Sequence, residues 1–261
     1  MRLVAITVAG AALFLWPFTG LGLPGAAAAA AVSIGCVAAL VAVETMSRRL
    51  DTRGLAVIAA IAALDSALRL ALVTGLGGFS PMFLLILCAG YTMGAEFGFL
   101  CGATALLVSA LVTAGVGPWL PYEMIAAGWV GAAAGLAGTG RRGRSPQARD
   151  IVALALVGIG AGFAYGAVMD TWDWTFFRGA AGVGYVPGLD AATTALRFGR
   201  FYLATSLVYD SFRAAGNAVL VVLVGAPILA ALVRLRRRHT LVIEDAPAAV
   251  AAVSGATNRR W

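Results

Sequence analysis

Arginine-bearing segments punctuate this chain at long intervals, and between them lie apolar runs of bilayer-spanning length. The run 151–169 follows the Arg-rich segment 140–150, and the run 201–233 is closed by Arg234, Arg236, Arg237 and Arg238. About 20 apolar residues in a helix cross a hydrocarbon core about 30 Å thick. A helix also satisfies its own backbone polar groups, which lipid cannot do. Six further apolar runs, at 3–20, 26–46, 55–74, 82–95, 97–116 and 122–139, have the same character. The expected fold is therefore all-α: a polytopic membrane bundle of about eight helices. The run 82–95 is short and must borrow residues from its flanks or sit against protein, with 96–98 as a candidate re-entrant hinge.

Composition excludes the soluble alternatives. The chain is 61% hydrophobic and 12% charged, where a soluble domain carries about 25% charged residues. At 261 residues, one bundle leaves no room for a soluble catalytic domain. The net charge of +7 comes wholly from arginine, since lysine is absent. These arginines flank spans and form no aromatic-interleaved face, so nucleic acid is not an expected partner. Cys36, Cys88 and Cys101 lie within apolar runs and read as small buried hydrophobes. His239 has no His or Cys near it in the sequence, so neither a metal nor another cofactor is expected.

Charge also predicts orientation. With the N-terminus inside, the segments 47–54, 140–150 and 234 onward fall in the cytoplasm and carry the Arg clusters, and the Arg-free position near 96 falls there too. The turns 21–25, 75–81 and 117–121 fall outside and carry no Arg. This is the positive-inside pattern. Residues 170–197 read as a long outer loop, and 244–261 as a disordered tail. Met1-Arg2 and the run after them also fit a secretory signal peptide. Retention is favoured, because the run is long and Trp16-Pro17 is bulky near the candidate cleavage region.

Ionisable groups at membrane depth are costly and mark function or inter-helix bonding. Asp65 and Arg69 stand at i, i+4 and could pair on one helix, with Arg69 toward its outer half, placed to hold an anionic group. Asp210, Arg213 and Asn217 share one face of the last span, with Tyr202 and Tyr209 nearby. Such a stripe faces the bundle interior, as a hydrogen-bond network or as a ligand contact. Trp119, Tyr122, Trp129, Trp172, Trp174, Phe176, Phe177 and Tyr185 put many rings at the outer end. An interfacial belt explains rings there. Glu123, Asp170 and Asp173 among them suit instead a mouth for a planar, partly polar small molecule. Small residues recur every four positions at Gly98/Gly102, Gly131/Gly135 and along Ala56, Ala59, Ala60 and Ala63. That spacing permits close helix approach, within the chain or onto a partner helix.

The missing motifs matter too. Without lysine there is no Walker A motif of the usual form, and HExxH and GxSxG are absent. The chain is not expected to hydrolyse ATP or to be an enzyme.

The ordered set Gly-Tyr-Thr-Met-Gly-Ala-Glu-Phe-Gly-Phe-Leu-Cys-Gly-Ala (90–103), Gly-Pro-Trp-Leu-Pro-Tyr-Glu-Met (117–124), Gly128-Trp129-Val130-Gly131 and Gly135 resembles the substrate-specific S component of energy-coupling factor transporters. Asp210, Arg213, Gly216-Asn217 and Gly225-Ala226-Pro227 fit the same pattern. The resemblance covers about residues 55–238 and is most similar to the cobalamin-type branch. It implies a bacterial cell-membrane protein that captures a vitamin or precursor outside and works with a transmembrane coupling subunit and two cytoplasmic ATPases. It further implies a pocket built from outer loops and helix ends, at 75–81, 117–123 and 170–185. It places Ala56, Ala59, Ala60 and Ala63 against the coupling subunit. The chain then divides into two added helices (1–54), a six-span core (55–238) and a tail (239–261).

The expected substrate-binding set is Arg69, Trp119, Tyr122, Glu123, Asp170, Trp172, Asp173, Trp174, Tyr209, Asp210, Arg213 and Asn217. Two other readings compete. One is a secondary transporter with Asp65, Glu123 or Asp210 as proton sites. The other is a structural or assembly protein in which the charges join helices.

Overall fold

The computed structural model describes residues 2–15, 52–71, 81–178 and 182–244, together with the single residues Phe18, Ala31 and Gly35. The expected span at 26–46, Cys36, the turn 21–25, most of 47–54 and of 75–81, and the tail beyond 244 lie outside the described residues. So do the side chain of His239 and most of the region on which the signal-peptide alternative rests.

The described residues are helical, with no β-strand among them. We label the helices α1 (Arg2–Leu15), α2 (Thr52–Ala71), α3 (Met82–Met93), α4 (Ala95–Val112), α5 (Leu120–Ala137), α6 (Ala148–Asp173), α7 (Ala191–Thr205) and α8 (Leu207–Glu244). Three segments are long and apolar enough to cross a membrane: Ala95–Val112, Ala148–Phe176 and Leu207–Arg238. Leu3–Leu15 and Met82–Met93 are apolar but shorter. The protein is thus a helical protein with membrane-spanning character.

α3 lies at the centre, touching α2, α4, α5, α6 and α8. All of its residues but Leu85 and Met93 are buried. Its 12 residues reach only roughly 18 Å. The short run is therefore supported by protein rather than extended from its flanks. The break after it falls at Gly94, ahead of the expected hinge at 96–98. Gly94 has φ 115°, a left-handed backbone that glycine tolerates and side-chain-bearing residues rarely adopt.

Burying apolar surface against another helix gains little when the alternative is lipid, so close packing and hydrogen bonds carry helix association. Two glycine seams supply the packing. Between α4 and α5, a methyl group on Gly98 would strike the Gly131 carbonyl, and one on Gly102 the Ala127 carbonyl. The expected close approach at Gly98/Gly102 and Gly131/Gly135 is therefore internal. The second seam, between α6 and α8, is described below.

Contacts between helix termini define two ends. At the basic end, Arg236 donates to the Thr92 carbonyl at the close of α3. Arg142 Nη2 donates to the Gly135 carbonyl near the close of α5 at 3.0 Å. Cations here compensate helix C-termini. Asp150, in the first turn of α6, accepts from Arg141 Nε (2.8 Å) and Nη2 (2.7 Å), from the Tyr91 hydroxyl (2.8 Å) and from the Gln147 N–H (2.8 Å). That carboxylate raises the Arg141 pKa above the ordinary arginine value. The opposite end is aromatic, where Phe14 of α1, Tyr122 of α5 and Trp172 of α6 meet.

Residues 170–197 are not one long loop. α6 continues to Asp173, a 3-10 turn spans Trp174–Phe176, and α7 begins at Ala191. Asp190 caps α7 by accepting from the Thr193 N–H at 2.9 Å, and hydrogen bonds from Thr193 hold its carboxyl below the ordinary range. The last apolar run divides at Ser206, which follows α7 and precedes α8. α8 then continues through Pro227 to Glu244, beyond the Arg cluster expected to end it.

Candidate functional site

The site grows from the antiparallel register of α6 and α8. Gly158, Gly162 and Gly166 repeat every four residues and present bare backbone to α8. A methyl group at Gly158 would meet Asn217, one at Gly162 would meet Ala214, and one at Gly166 would meet the Asp210 carboxylate. Polar side chains of α8 thus lie directly on the α6 backbone.

Each polar side chain finds at least one partner along this seam, although Asn217 Oδ1 is buried without one. Asn217, fully buried at 0% exposure, donates from Nδ2 to the Gly158 carbonyl at 2.9 Å. Arg213 pairs with Asp210, and its guanidinium carbon lies 5.3 Å from the centroid of the Tyr165 ring. Asp210 is 1% exposed and also accepts from the Tyr202 hydroxyl at 3.0 Å. Asp170 accepts from the Ser206 hydroxyl at 2.8 Å through Oδ1, and its Oδ2 is buried with no hydrogen-bond partner. The shared face expected for Asp210, Arg213 and Asn217 therefore points into the bundle. Tyr202 joins it and Tyr209 does not, being 54% exposed.

The rings assemble at the same end. Trp172 is the hub, with centroids at 5.5 Å from Tyr122, 6.3 Å from Trp119 and 4.8 Å from Phe176. Trp174 forms a second group with Tyr185 (5.2 Å) and Phe198 of α7 (5.3 Å). Its indole N–H donates to the Val183 carbonyl at 2.7 Å, which ties residues 182–185 to the end of α6. Trp119 stays 40% exposed, so the cluster presents an open ring as well as buried ones.

Charged groups interleave with these rings. Glu123, beside Tyr122 in the first turn of α5, lies in the fields of Arg69 from α2 and Asp173 from α6. Tyr165 lies in the fields of Glu123, Arg213, Arg69 and Asp173. Arg69 thus faces the site. Its charge also acts on Asp65 across the i, i+4 spacing, but without a hydrogen bond, since both Asp65 carboxyl oxygens are buried unpartnered. Asp65 lies against α4, where it acts electrostatically on Cys101.

Of the twelve residues expected to bind substrate, the structure gathers Trp119, Tyr122, Trp172, Glu123, Asp173 and Arg69 in one group and Asp170, Asp210, Arg213 and Asn217 along the adjoining seam. Trp174 faces α7, and Tyr209 faces outward. Tyr165, Ser206 and Phe198 join the site without having been singled out. Of these, Tyr165 had a positional signal, since it directly precedes Gly166 in the four-residue glycine repeat. The Ala56, Ala59, Ala60 and Ala63 stripe is exposed, while Ile58, Ile61 and Ala62 turn inward. Among the described residues, no cluster of three or more His, Cys, Asp or Glu could hold a metal.

No protein-family model matches the chain, and no curated protein or solved structure matches it.

Proposed function

We propose that the chain is the substrate-binding membrane subunit of an energy-coupling-factor-type importer for a vitamin or related micronutrient. The observation that carries this reading is the grouping of an exposed indole (Trp119), buried rings (Tyr122, Trp172) and opposed charges (Glu123, Asp173, Arg69) at one end of a helical bundle. Flat rings with a few polar groups suit capture of a planar, partly polar molecule. The exposed alanine stripe of α2 supports docking of a transmembrane coupling subunit, with two cytoplasmic ATPases supplying the energy. In this reading residues 55–238 form a six-span core behind two added helices, in a bacterial cell membrane, with both termini cytoplasmic. The chain itself is not an enzyme. Cobalamin is the first ligand to try, because the ring-bearing 170–197 region is large enough to cover a large molecule.

The test is ligand identification. Protein purified in mild detergent is denatured and the released small molecules are identified by mass spectrometry. Tryptophan quenching on titration with the compound found then gives its affinity. Folded protein that binds no vitamin or precursor overturns the reading.

One observation favours a second reading, a proton-coupled secondary transporter. Asp65 is fully buried at 0% exposure between α2 and α4 with both oxygens unbonded, as a proton-carrying carboxyl would be. Uptake that needs no ATPase partner and is abolished by Asp65→Asn would favour it.

A further inference from the structure

Between the apolar segments Ala148–Phe176 and Leu207–Arg238, each long enough to cross a membrane, stands α7, which at 15 residues is too short to do so. Contacts with the close of the first segment and the start of the second fix its level. Phe198 packs on Trp174 and Phe201 on Phe177, with ring centroids 5.3 and 5.1 Å apart. Ser206, directly after α7, donates to Asp170 at 2.8 Å, and the Tyr202 hydroxyl donates to Asp210 at 3.0 Å. The second half of α7 therefore lies beside the ends of two crossing segments, at the depth where acyl chains meet headgroups.

α7 is divided lengthwise into three stripes. Phe198 and the buried Phe201 turn to the bundle. On the opposite side Ala192, Ala195, Leu196, Gly199 and Leu203 follow the i, i+3, i+4, i+7 spacing of one face. Leu196 is 57% exposed and Leu203 63%, and Ala192 and Ala195 are exposed as well. Along one edge between these faces stand Thr193, Arg197 and Arg200, at i, i+4 and i+7. Arg197 donates to the Gly184 carbonyl at 2.9 Å, which keeps it on the protein, and Arg200 is exposed.

A helix lying between protein and water turns its polar residues outward. α7 turns leucines outward and keeps its two charged groups to an edge. The outward face also leads into one that lipid covers. Val208, Phe212, Val219 and Leu223 are exposed along one side of α8, within the crossing segment, and Ser206 alone separates α7 from α8. An apolar face beside a cationic edge suits the membrane interface, where the face sinks to the acyl boundary. The apolar stem of an arginine lets its guanidinium rise to the phosphates.

We propose that α7 is an interfacial helix, with its Ala192, Leu196 and Leu203 face seated in the acyl boundary of the leaflet at the aromatic end and Arg200 at the level of the headgroup phosphates. The partner of this surface is the lipid itself, and the seat holds Tyr202 and Ser206 against Asp210 and Asp170.

The test uses the full chain in phosphatidylcholine nanodiscs. A fluorescent amino acid replaces Leu196, Arg200 or Leu203, one at a time, by codon suppression. Each probe is quenched by iodide from the water or by phosphatidylcholine carrying a nitroxide on its acyl chain. Iodide quenching is expected to be severalfold weaker in place of Leu196 and Leu203 than in place of Arg200, with the lipid quencher showing the opposite order. Iodide reaching all three alike would leave α7 standing in water and overturns the proposal. Failure of both quenchers at the two leucine positions would put a protein surface over the face, a second copy or another chain, and overturns it equally. A second measurement needs no probe. Leu196→Gln with Leu203→Gln, which barely changes helix propensity, is expected to speed hydrogen exchange across α7 severalfold while α4 and α5 stay protected. Unchanged exchange in α7 also overturns the proposal.

Discussion

Gly166 of α6 lies so close to the carboxylate of Asp210 of α8 that a methyl group on Gly166 would occupy the space of the carboxylate oxygens. The acid is fixed by α6 backbone on one side and by Arg213 and Tyr202 on the others. Gly166→Ala must push α8 away or turn the carboxylate out of its bonds. Overpacking of this kind costs about 1–3 kcal/mol. Gly160, on the same helix, has open space where its side chain would stand. Gly160→Ala should be neutral or slightly stabilising, because alanine favours a helix by about 1 kcal/mol over glycine. Melting of both variants in one detergent checks this, and an equal loss in the two would show that the α6–α8 seam is not tight.

The ion pair beside that glycine should behave asymmetrically. Asp210 is 1% exposed, so Arg213→Ala strands a carboxylate in the bundle. Breaking one side of a buried pair costs about 3–5 kcal/mol, whereas removing both charges is far milder. Arg213→Ala alone is expected to be severely destabilised, and Arg213→Ala with Asp210→Asn to recover roughly half of the loss or more. A double variant no more stable than Arg213→Ala would mean that the charge on Asp210 is not what the arginine serves.

Much of this seam can be read from the residues. The i, i+3, i+7 spacing of Asp210, Arg213 and Asn217 sets one polar face, and lipid cannot accept that face. Which helix receives it was not legible, although Gly158, Gly162 and Gly166 carry the four-residue spacing that marks close approach elsewhere in the chain. Spacing identifies a face that wants a partner, and only the fold chooses the partner. α7 was missed for a different reason. Its Phe198 and Phe201 turn onto Trp174 and Phe177 while Arg197 and Arg200 interrupt the apolar pattern, so the segment lacks the continuous run of a span. The Asp190 cap three residues before Thr193 was the local signal of a helix start. The i, i+4 spacing of Asp65 and Arg69 does bring their charges into each other's field, but it does not give a hydrogen bond, and the same Arg69 also acts on Glu123 of another helix.

α7 itself gives a pH test. Hydrogen bonds from Thr193 hold the Asp190 carboxyl below its ordinary value, so the folded state binds the proton less readily than the unfolded chain. Its cap is therefore complete above the ordinary aspartate range, about pH 4, and is lost as pH falls through the lowered folded-state value. Hydrogen exchange at the first amides of α7 should quicken on acidification. Asp190→Ala should show the quickened rate already at neutral pH, while Asp190→Asn, an equally good cap, should stay protected at both. Protection in Asp190→Ala equal to that of wild type would remove the cap from the account of how α7 starts.

The last prediction separates holding the site together from binding. Trp172 is the buried hub of the ring cluster, and Trp119 is its exposed member. Truncating a buried tryptophan costs about 3–5 kcal/mol, so Trp172→Ala should lower stability and lose binding with it. An exposed side chain contributes little to stability, about 0.5 kcal/mol either way. Trp119→Ala should therefore melt like wild type. If Trp119 forms part of the ligand's platform, its loss should weaken binding by more than about 1 kcal/mol, roughly fivefold or more, as expected for an aromatic anchor. Glu123→Gln, which removes the charge facing Arg69 and Asp173, should alter affinity in a salt-dependent way without unfolding the bundle. The measurement is tryptophan quenching by the co-purified compound, paired with a melting curve for each variant. Wild-type affinity in both Trp119→Ala and Glu123→Gln would move the ligand away from the aromatic end, and the α6–α8 seam around Asp170 would be the next place to look.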